Sequence, residues 1–245
     1  MIVEDEAALL AELRAISDRS GRSRATKPII QGENTCSRSR EKNADGVDLS
    51  NVACEGFLDV TPEDSHLNQY WYSKSTIQNL CQAVIEGLES NNMKKAAFLS
   101  TPSLYFSLPP EIKENCVLLD YDKTWSSDPG FVFYDYNDPK NLSSALCRSF
   151  DMVVIDPPFI AEEVWSKYTE TATFLLKGDP KESSSASLVI GTTVQENAPF
   201  MEKLLGVKPA KFLPSIPNLV YQYSVFTNFT STVLSNANPE IAVEL

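Results

Sequence analysis

An apolar run at residues 152–156, MVVID, leads directly into Asp156-Pro157-Pro158-Phe159. Proline fixes φ and carries no N–H, and the residue before a proline is pushed toward extended geometry. The result is a stiff turn that projects the Asp156 carboxylate and nearby backbone carbonyls off a strand end. Such acceptors suit a substrate NH₂ group whose lone pair must point elsewhere. Phe159 suits stacking on a planar base or flanking the methylenes of a lysine. The same residues also fit a proline strand terminator with a surface aspartate. Further carboxylates follow other apolar runs: Asp120 and Asp122 after CVLLDY (116–121), and Asp135 among Phe133, Tyr134 and Tyr136. Ser100-Thr101-Pro102-Ser103 follows AAFLS (96–100), and Tyr70-Trp71-Tyr72 precedes Ser73 at the start of a helical pattern.

These residues need a scaffold, and the apolar patterning supplies one. The spacing of Ile77, Leu80, Val84 and Leu88 predicts a helix over 74–90. Strands are predicted at 96–100, 116–121, 131–136, 152–156 and 187–193. Their continuous rather than alternating apolar runs suit burial on both faces of a parallel sheet. Helices are predicted between them at 102–113, 139–148, 161–177 and 197–205, with final strands at 211–213 and 221–229. The order argues for a mostly parallel, doubly wound α/β sheet of seven strands with an antiparallel last strand. In such a sheet ligands bind beyond the carboxyl ends of the strands, where the candidate residues stand.

The organisation outside this region is different. Residues 1–16 are predicted to contain a short amphipathic helix at 5–16, from the spacing of Leu9, Leu10, Leu13 and Ile16. Residues 17–65 are predicted to be a disordered charged linker or insertion: 19–42 carry seven basic and two acidic residues, and 43–66 carry six acids and no Lys or Arg. Too little apolar surface is available there to offset the entropy of ordering. The globular domain is predicted over 66–232, with a flexible tail at 233–245.

Composition excludes several chemistries. The 245 residues are 42% hydrophobic with a net charge of -12. A single histidine, His66, removes any site needing two imidazoles, and it is expected on the surface. The five cysteines form no CxxC pair, which removes support for zinc ribbons and redox motifs and suits reduced thiols. The nine glycines form neither GxGxxG nor a P-loop. No run of ~18 apolar residues exists, and the acidic start is unlike a secretory signal. A cytoplasmic monomer without metal or membrane contact is expected. Trp125 and Trp165 are expected to pack in the core.

The Asp156-Pro157-Pro158-Phe159 motif resembles the [DNS]PP[FYW] box of class I S-adenosylmethionine-dependent amino-methyltransferases. Further strings narrow the resemblance: Gln69-Tyr70-Trp71-Tyr72-Ser73, Ser100 to Tyr105, Asp120-Tyr121-Asp122-Lys123, Phe133 to Pro139, and Leu204-Leu205-Gly206-Val207-Lys208. Together they resemble the elongation factor 1-alpha lysine methyltransferase family, once labelled putative N6-adenine DNA methyltransferases. The likeness covers Leu67 to about Phe229. It implies a Rossmann-like class I methyltransferase fold, S-adenosylmethionine as cofactor and lysine methylation of elongation factor 1-alpha.

The resemblance also implies roles. Asp156, Pro157, Pro158 and Phe159 would meet the amine. Ser100 and Thr101 would hold the cofactor's methionine end with hydroxyls where most of the superfamily has glycine; a plain Ser/Thr helix cap is the compatible alternative. Asp120 or Asp122 would accept the ribose hydroxyls, Asp120 being nearer the apolar run. Asp135 would accept from the adenine amine, or merely begin a turn. Trp71, Tyr72 and Ser73 would form a lid over the cofactor, or a core anchor and a helix cap. Apart from the resemblance, Asn218, by the proline-rich loop before the last strand, is expected to line the substrate side. Two other readings remain: N6-adenine methylation of nucleic acid, opposed by the net charge of -7 over 67–245, and an inactive methyltransferase-like binding module.

Overall fold

The computed structural model describes residues 56–182 and 187–241. The helix expected at 5–16 and the linker over 17–55 lie outside the described residues. The remainder of the linker, 56–65, is not loose. It holds a helical turn, α1 (Phe57–Val60), and a 3₁₀ turn at Ser65–Leu67. Phe57 is buried edge-on to Trp71 at 5.0 Å and close to Phe106 and Trp125. One large aromatic anchors a segment whose composition otherwise reads as solvated.

The helix α2 (Lys74–Ser90) begins where Ser73 accepts a hydrogen bond from the Thr76 N–H. Its buried stripe, including Ile77, Leu80, Val84 and Leu88, faces the sheet. The strand β1 (Ala96–Leu99) follows, buried at every position. Next come short helices α3 (Pro102–Tyr105) and α4 (Pro110–Lys113), where a single helix over 102–113 was expected. Pro109 and Pro110 break it, because neither can donate to the turn before. The chain continues through β2 (Cys116–Asp120), β3 (Phe131–Phe133) and β4 (Met152–Ile155). Between β3 and β4 only a 3₁₀ turn, Ser144–Leu146, replaces the helix expected at 139–148. There Ser143 bonds the Ala145 N–H and competes with helix formation. Then follow α5 (Glu162–Leu175), β5 (Leu188–Val194), α6 (Ala198–Leu205), β6 (Lys208–Pro209) and β7 (Tyr223–Thr227).

The seven strands lie in the order β3-β2-β1-β4-β5-β7-β6. Pairings among β1 to β5 are parallel, and β7 is antiparallel to both neighbours. The sheet separates two apolar layers. One contains Leu80, Val84, Phe98 and Trp125; the other contains Leu99, Ile155, Trp165 and Tyr168. Both tryptophans are core residues, as the sequence predicts. Gly191 permits this packing, since a Cβ there would stand 3.0 Å from the Trp165 ring.

Two C-terminal expectations are corrected. No strand forms at 211–213; the Phe212 N–H goes instead to the Leu234 carbonyl. The tail is correspondingly packed, not frayed, through its described part. Leu234 and Asn238 are buried, and the Asn238 amide donates to the Leu213 carbonyl at 2.8 Å. No helix among the described residues is long and apolar enough to cross a membrane.

Candidate active site

The chain runs β1, β2, β3 outward in one direction and returns to place β4 on the other side of β1. This reversal opens a crevice at the carboxyl ends of the strands. A cavity of about 280 Å³ lies there, walled by the ends of β1, β2, β3 and β4 and by the segments 66–71 and 216–223. That volume lies just below the ~300–1,000 Å³ common for ligand clefts.

Asp156, Pro157, Pro158 and Phe159 all line the cavity. The Asp156 N–H donates to the Leu99 carbonyl, so its backbone continues the β1–β4 ladder before the prolines end it. The Pro158 carbonyl accepts from the Asn68 amide, which stiffens the turn and occupies that acceptor. The Asp156 Oδ2 accepts from the Tyr72 hydroxyl at 2.5 Å, and that hydroxyl also lies 2.7 Å from Thr192 Oγ1. Burial pushes the Asp156 carboxyl up to about 6, although the Tyr72 and Thr192 hydroxyls pull the other way.

Ser100 and Thr101 also line the cavity. Ser100 takes the left-handed backbone conformation, φ 55°, which favours glycine. It is held by its N–H to the Leu119 carbonyl and by its hydroxyl 2.6 Å from that of Tyr168. Thr101 precedes α3 but makes no side-chain cap. Its buried hydroxyl has no hydrogen-bond partner among the described residues, a costly arrangement unless a ligand satisfies it.

Asp120 and Asp122 both reach the cavity, and the geometry separates them. Asp122 is committed: Oδ1 accepts from the Thr124 N–H and Oδ2 from the Gln69 amide. Asp120 ends β2, buried, with Oδ1 accepting from the Asp122 N–H. Burial pushes its carboxyl up to about 7, more than backbone hydrogen bonds offset. Asp135 lines the cavity and bonds the Asn137 N–H in its own turn. Beside it Tyr136 stacks on Tyr168 at 5.9 Å and meets Phe159 edge-on at 6.5 Å. Phe133 is not part of this wall. It is exposed and packs on Tyr121 instead.

The aromatic box divides. Trp71 lines the cavity while its indole N–H donates to the Thr61 carbonyl, so it is both wall and core anchor. Tyr72 and Ser73 are not among the lining residues. The lid reading is corrected for both: Tyr72 supports Asp156 from behind, and Ser73 caps α2 and bonds Glu240. Asn218 is also outside the lining; its amide goes to Glu63, while the neighbouring Ile216 and Leu219 reach the cavity. His66 is exposed at the cavity edge.

Sequence reasoning missed Asn68, Tyr168, Thr192 and Tyr223. Tyr168 reads as one more apolar position on the α5 face, and nothing in its spacing reveals a hydroxyl reaching Ser100. Tyr223 begins β7, brought beside Asp156 only by antiparallel pairing with β5. Burial, and then the nearby Asp156 carboxylate, raise its hydroxyl above the usual range.

A family model described as "Probable N6-adenine methyltransferase" matches residues 63–231. EEF1A lysine methyltransferase 1 of Mus musculus is 34% identical over 194 residues, covering 77% of this chain and 83% of the mouse protein. The Gallus gallus protein of the same name is 36% identical over 174 residues, 69% of this chain and 76% of its own. Protein-lysine N-methyltransferase EFM5 of Saccharomyces cerevisiae is 30% identical over 181 residues, covering 68% and 72%. The matched region contains every strand described above. With its Rossmann-like sheet and the Asp156-Pro157-Pro158-Phe159 turn at the switch point, the chain belongs to the EEF1A lysine methyltransferase family.

Proposed function

We propose that the protein methylates the ε-amine of a lysine on elongation factor 1-alpha, with S-adenosylmethionine as donor. The observation that carries this reading is the charge of the cavity. Among the described residues four carboxylates line it, Asp120, Asp122, Asp135 and Asp156, and no lysine or arginine does. Such a wall suits a sulfonium and an ammonium group and repels phosphate.

The residues fit the cofactor. The unpartnered Thr101 hydroxyl, with Ser100, suits the methionine end. Asp120 suits the ribose hydroxyls, since a carboxylate accepts two O–H donors. Asp135 and the Tyr136 ring suit the adenine. Bound S-adenosylmethionine supplies an activated methyl group on a sulfonium.

The chain's own work is to present the amine. A free lysine amine titrates near ~10.4 and must be neutral to attack. The aromatic wall of Phe159, Tyr136 and Tyr223 excludes water and favours the neutral form, while the neighbouring carboxylates oppose it. Asp156 accepts an N–H and fixes the direction of the lone pair, then stabilises the ammonium as it develops. Alignment supplies most of the rate in a reaction of this kind. A translation factor as protein partner would place the enzyme's work in the cytoplasm.

N6-adenine transfer to nucleic acid is the second reading, favoured by the Asp156 motif and the family model's description. The acidic cavity opposes it. Purified enzyme, labelled cofactor and separate tubes of elongation factor 1-alpha and nucleic acid decide between them. Label on the protein supports the proposal, and label on nucleic acid alone overturns it.

A further inference from the structure

Six large apolar side chains among the described residues are exposed: Leu58, Tyr121, Phe133, Ile160, Val220 and Tyr221. One of them, Tyr121, lines the cavity, and four others adjoin lining residues. Tyr121 lines it and Phe133 packs on Tyr121. Ile160 follows Phe159, and Val220 and Tyr221 lie between the lining residues Leu219 and Tyr223. Leu58 lies in α1, which contributes no lining residue. Single exposed apolar residues are ordinary, but several of them on the segments that flank one cavity point to an interaction surface.

The loop bearing Val220 and Tyr221 is also built rather than slack. Val220 is 89% exposed and Tyr221 54%. The turn below them is fixed at three points. The Leu219 N–H bonds the Ile216 carbonyl, the Asn218 amide bonds Glu63, and the Gln222 amide bonds the Pro214 carbonyl. Two prolines, Pro214 and Pro217, stiffen it further. A turn held this firmly presents its two tip side chains to water in a defined place.

We infer that Val220, Tyr221 and Ile160 form the surface on which the lysine-bearing segment of the protein substrate docks. The inference rests on the lysine-methyltransferase reading of the cavity. A lysine amine sits on a four-carbon stem, so the backbone carrying it must lie at the mouth when the amine reaches Asp156. The residues flanking the lysine then cover Val220 and Tyr221. Charge selects the same occupant, because a cationic segment complements a cavity with four carboxylates and, among the described residues, no lysine or arginine. A nucleic acid would meet an apolar rim above an acidic wall.

The test uses the full chain with a Val220→Ser, Tyr221→Ser double variant and a Leu58→Ser control. KM and kcat are measured with elongation factor 1-alpha, and S-adenosylmethionine affinity by calorimetry. The double variant is expected to raise KM for the protein about tenfold or more. Its kcat at saturating protein and its cofactor affinity stay within about twofold of wild type, and Leu58→Ser matches wild type throughout. An unchanged KM in the double variant, or an equal rise in the Leu58 variant, overturns the docking surface alone. A wild-type enzyme that labels no protein overturns the underlying reading and this inference with it.

Discussion

Replacing Tyr72 by phenylalanine separates the two roles that its position permits. As a lid residue it would hold the cofactor; in the structure its hydroxyl donates to Asp156 at 2.5 Å and lies outside the cavity lining. A hydrogen bond to a charged group contributes about 1.5–3 kcal/mol. If that energy holds Asp156 in its productive orientation, its loss lowers kcat roughly 10- to 100-fold. The pH dependence carries a sign. Burial raises the Asp156 carboxyl to about 6 while the Tyr72 bond pulls it down. Removing Tyr72 therefore raises it further, and the ionised fraction begins to fall at higher pH. The ratio of variant to wild-type kcat should decline as pH drops from about 8 to about 6. Thr192 loses a partner in the variant, so a Tyr72→Phe, Thr192→Val double variant guards against a trivial folding defect. The assay is steady-state methyl transfer across pH, with cofactor affinity by calorimetry. Cofactor affinity reduced tenfold with kcat intact would refute the reasoning and restore the lid.

Other perturbations test other parts. Asp120→Asn should abolish most cofactor affinity in calorimetry, and wild-type affinity should weaken as pH falls below about 7, where Asp120 takes up a proton. The same raised carboxyl favours folding below ~3.9 and loses that contribution as pH rises through about 7, so Asp120→Asn should be more stable at pH 8, by at most about 4 kcal/mol in denaturant titration. Thr101→Val should reduce cofactor affinity with little loss of stability, since its hydroxyl has no partner to lose among the described residues. Phe57→Ala should destabilise the domain by about 3–5 kcal/mol in denaturant titration, because its ring is buried among Trp71, Phe106 and Trp125.

The parallel sheet was legible because its strands are short apolar runs between helical patterns, and the signal is local. The Asp156 turn was legible for the same reason: two prolines after a buried strand dictate a stiff projection whatever surrounds them. What escaped depended on contacts distant in sequence. Phe57 looks like an isolated aromatic in a charged linker until Trp71 and Trp125 close over it. The tail looks polar until Leu234 takes the Phe212 N–H that a strand would have used. Tyr72 and Ser73 follow Trp71 directly in the chain, yet successive residues at a loop–helix junction point in different directions, and the cavity is lined by Tyr70 and Trp71 but not by Tyr72 or Ser73. Ser100 shows how the missing glycine was accommodated: a serine bears the left-handed backbone, tied by a tyrosine from α5 that periodicity assigns to the core.

The central claim is that Asp156 presents a protein lysine amine for methyl transfer. The most direct test is mass spectrometry of elongation factor 1-alpha after incubation with S-adenosylmethionine and either wild-type enzyme or the Asp156→Ala variant. Methyllysine formed by wild type and lost in the variant, with the variant still binding cofactor, is the predicted result. Methyllysine formed equally by both enzymes would contradict the account.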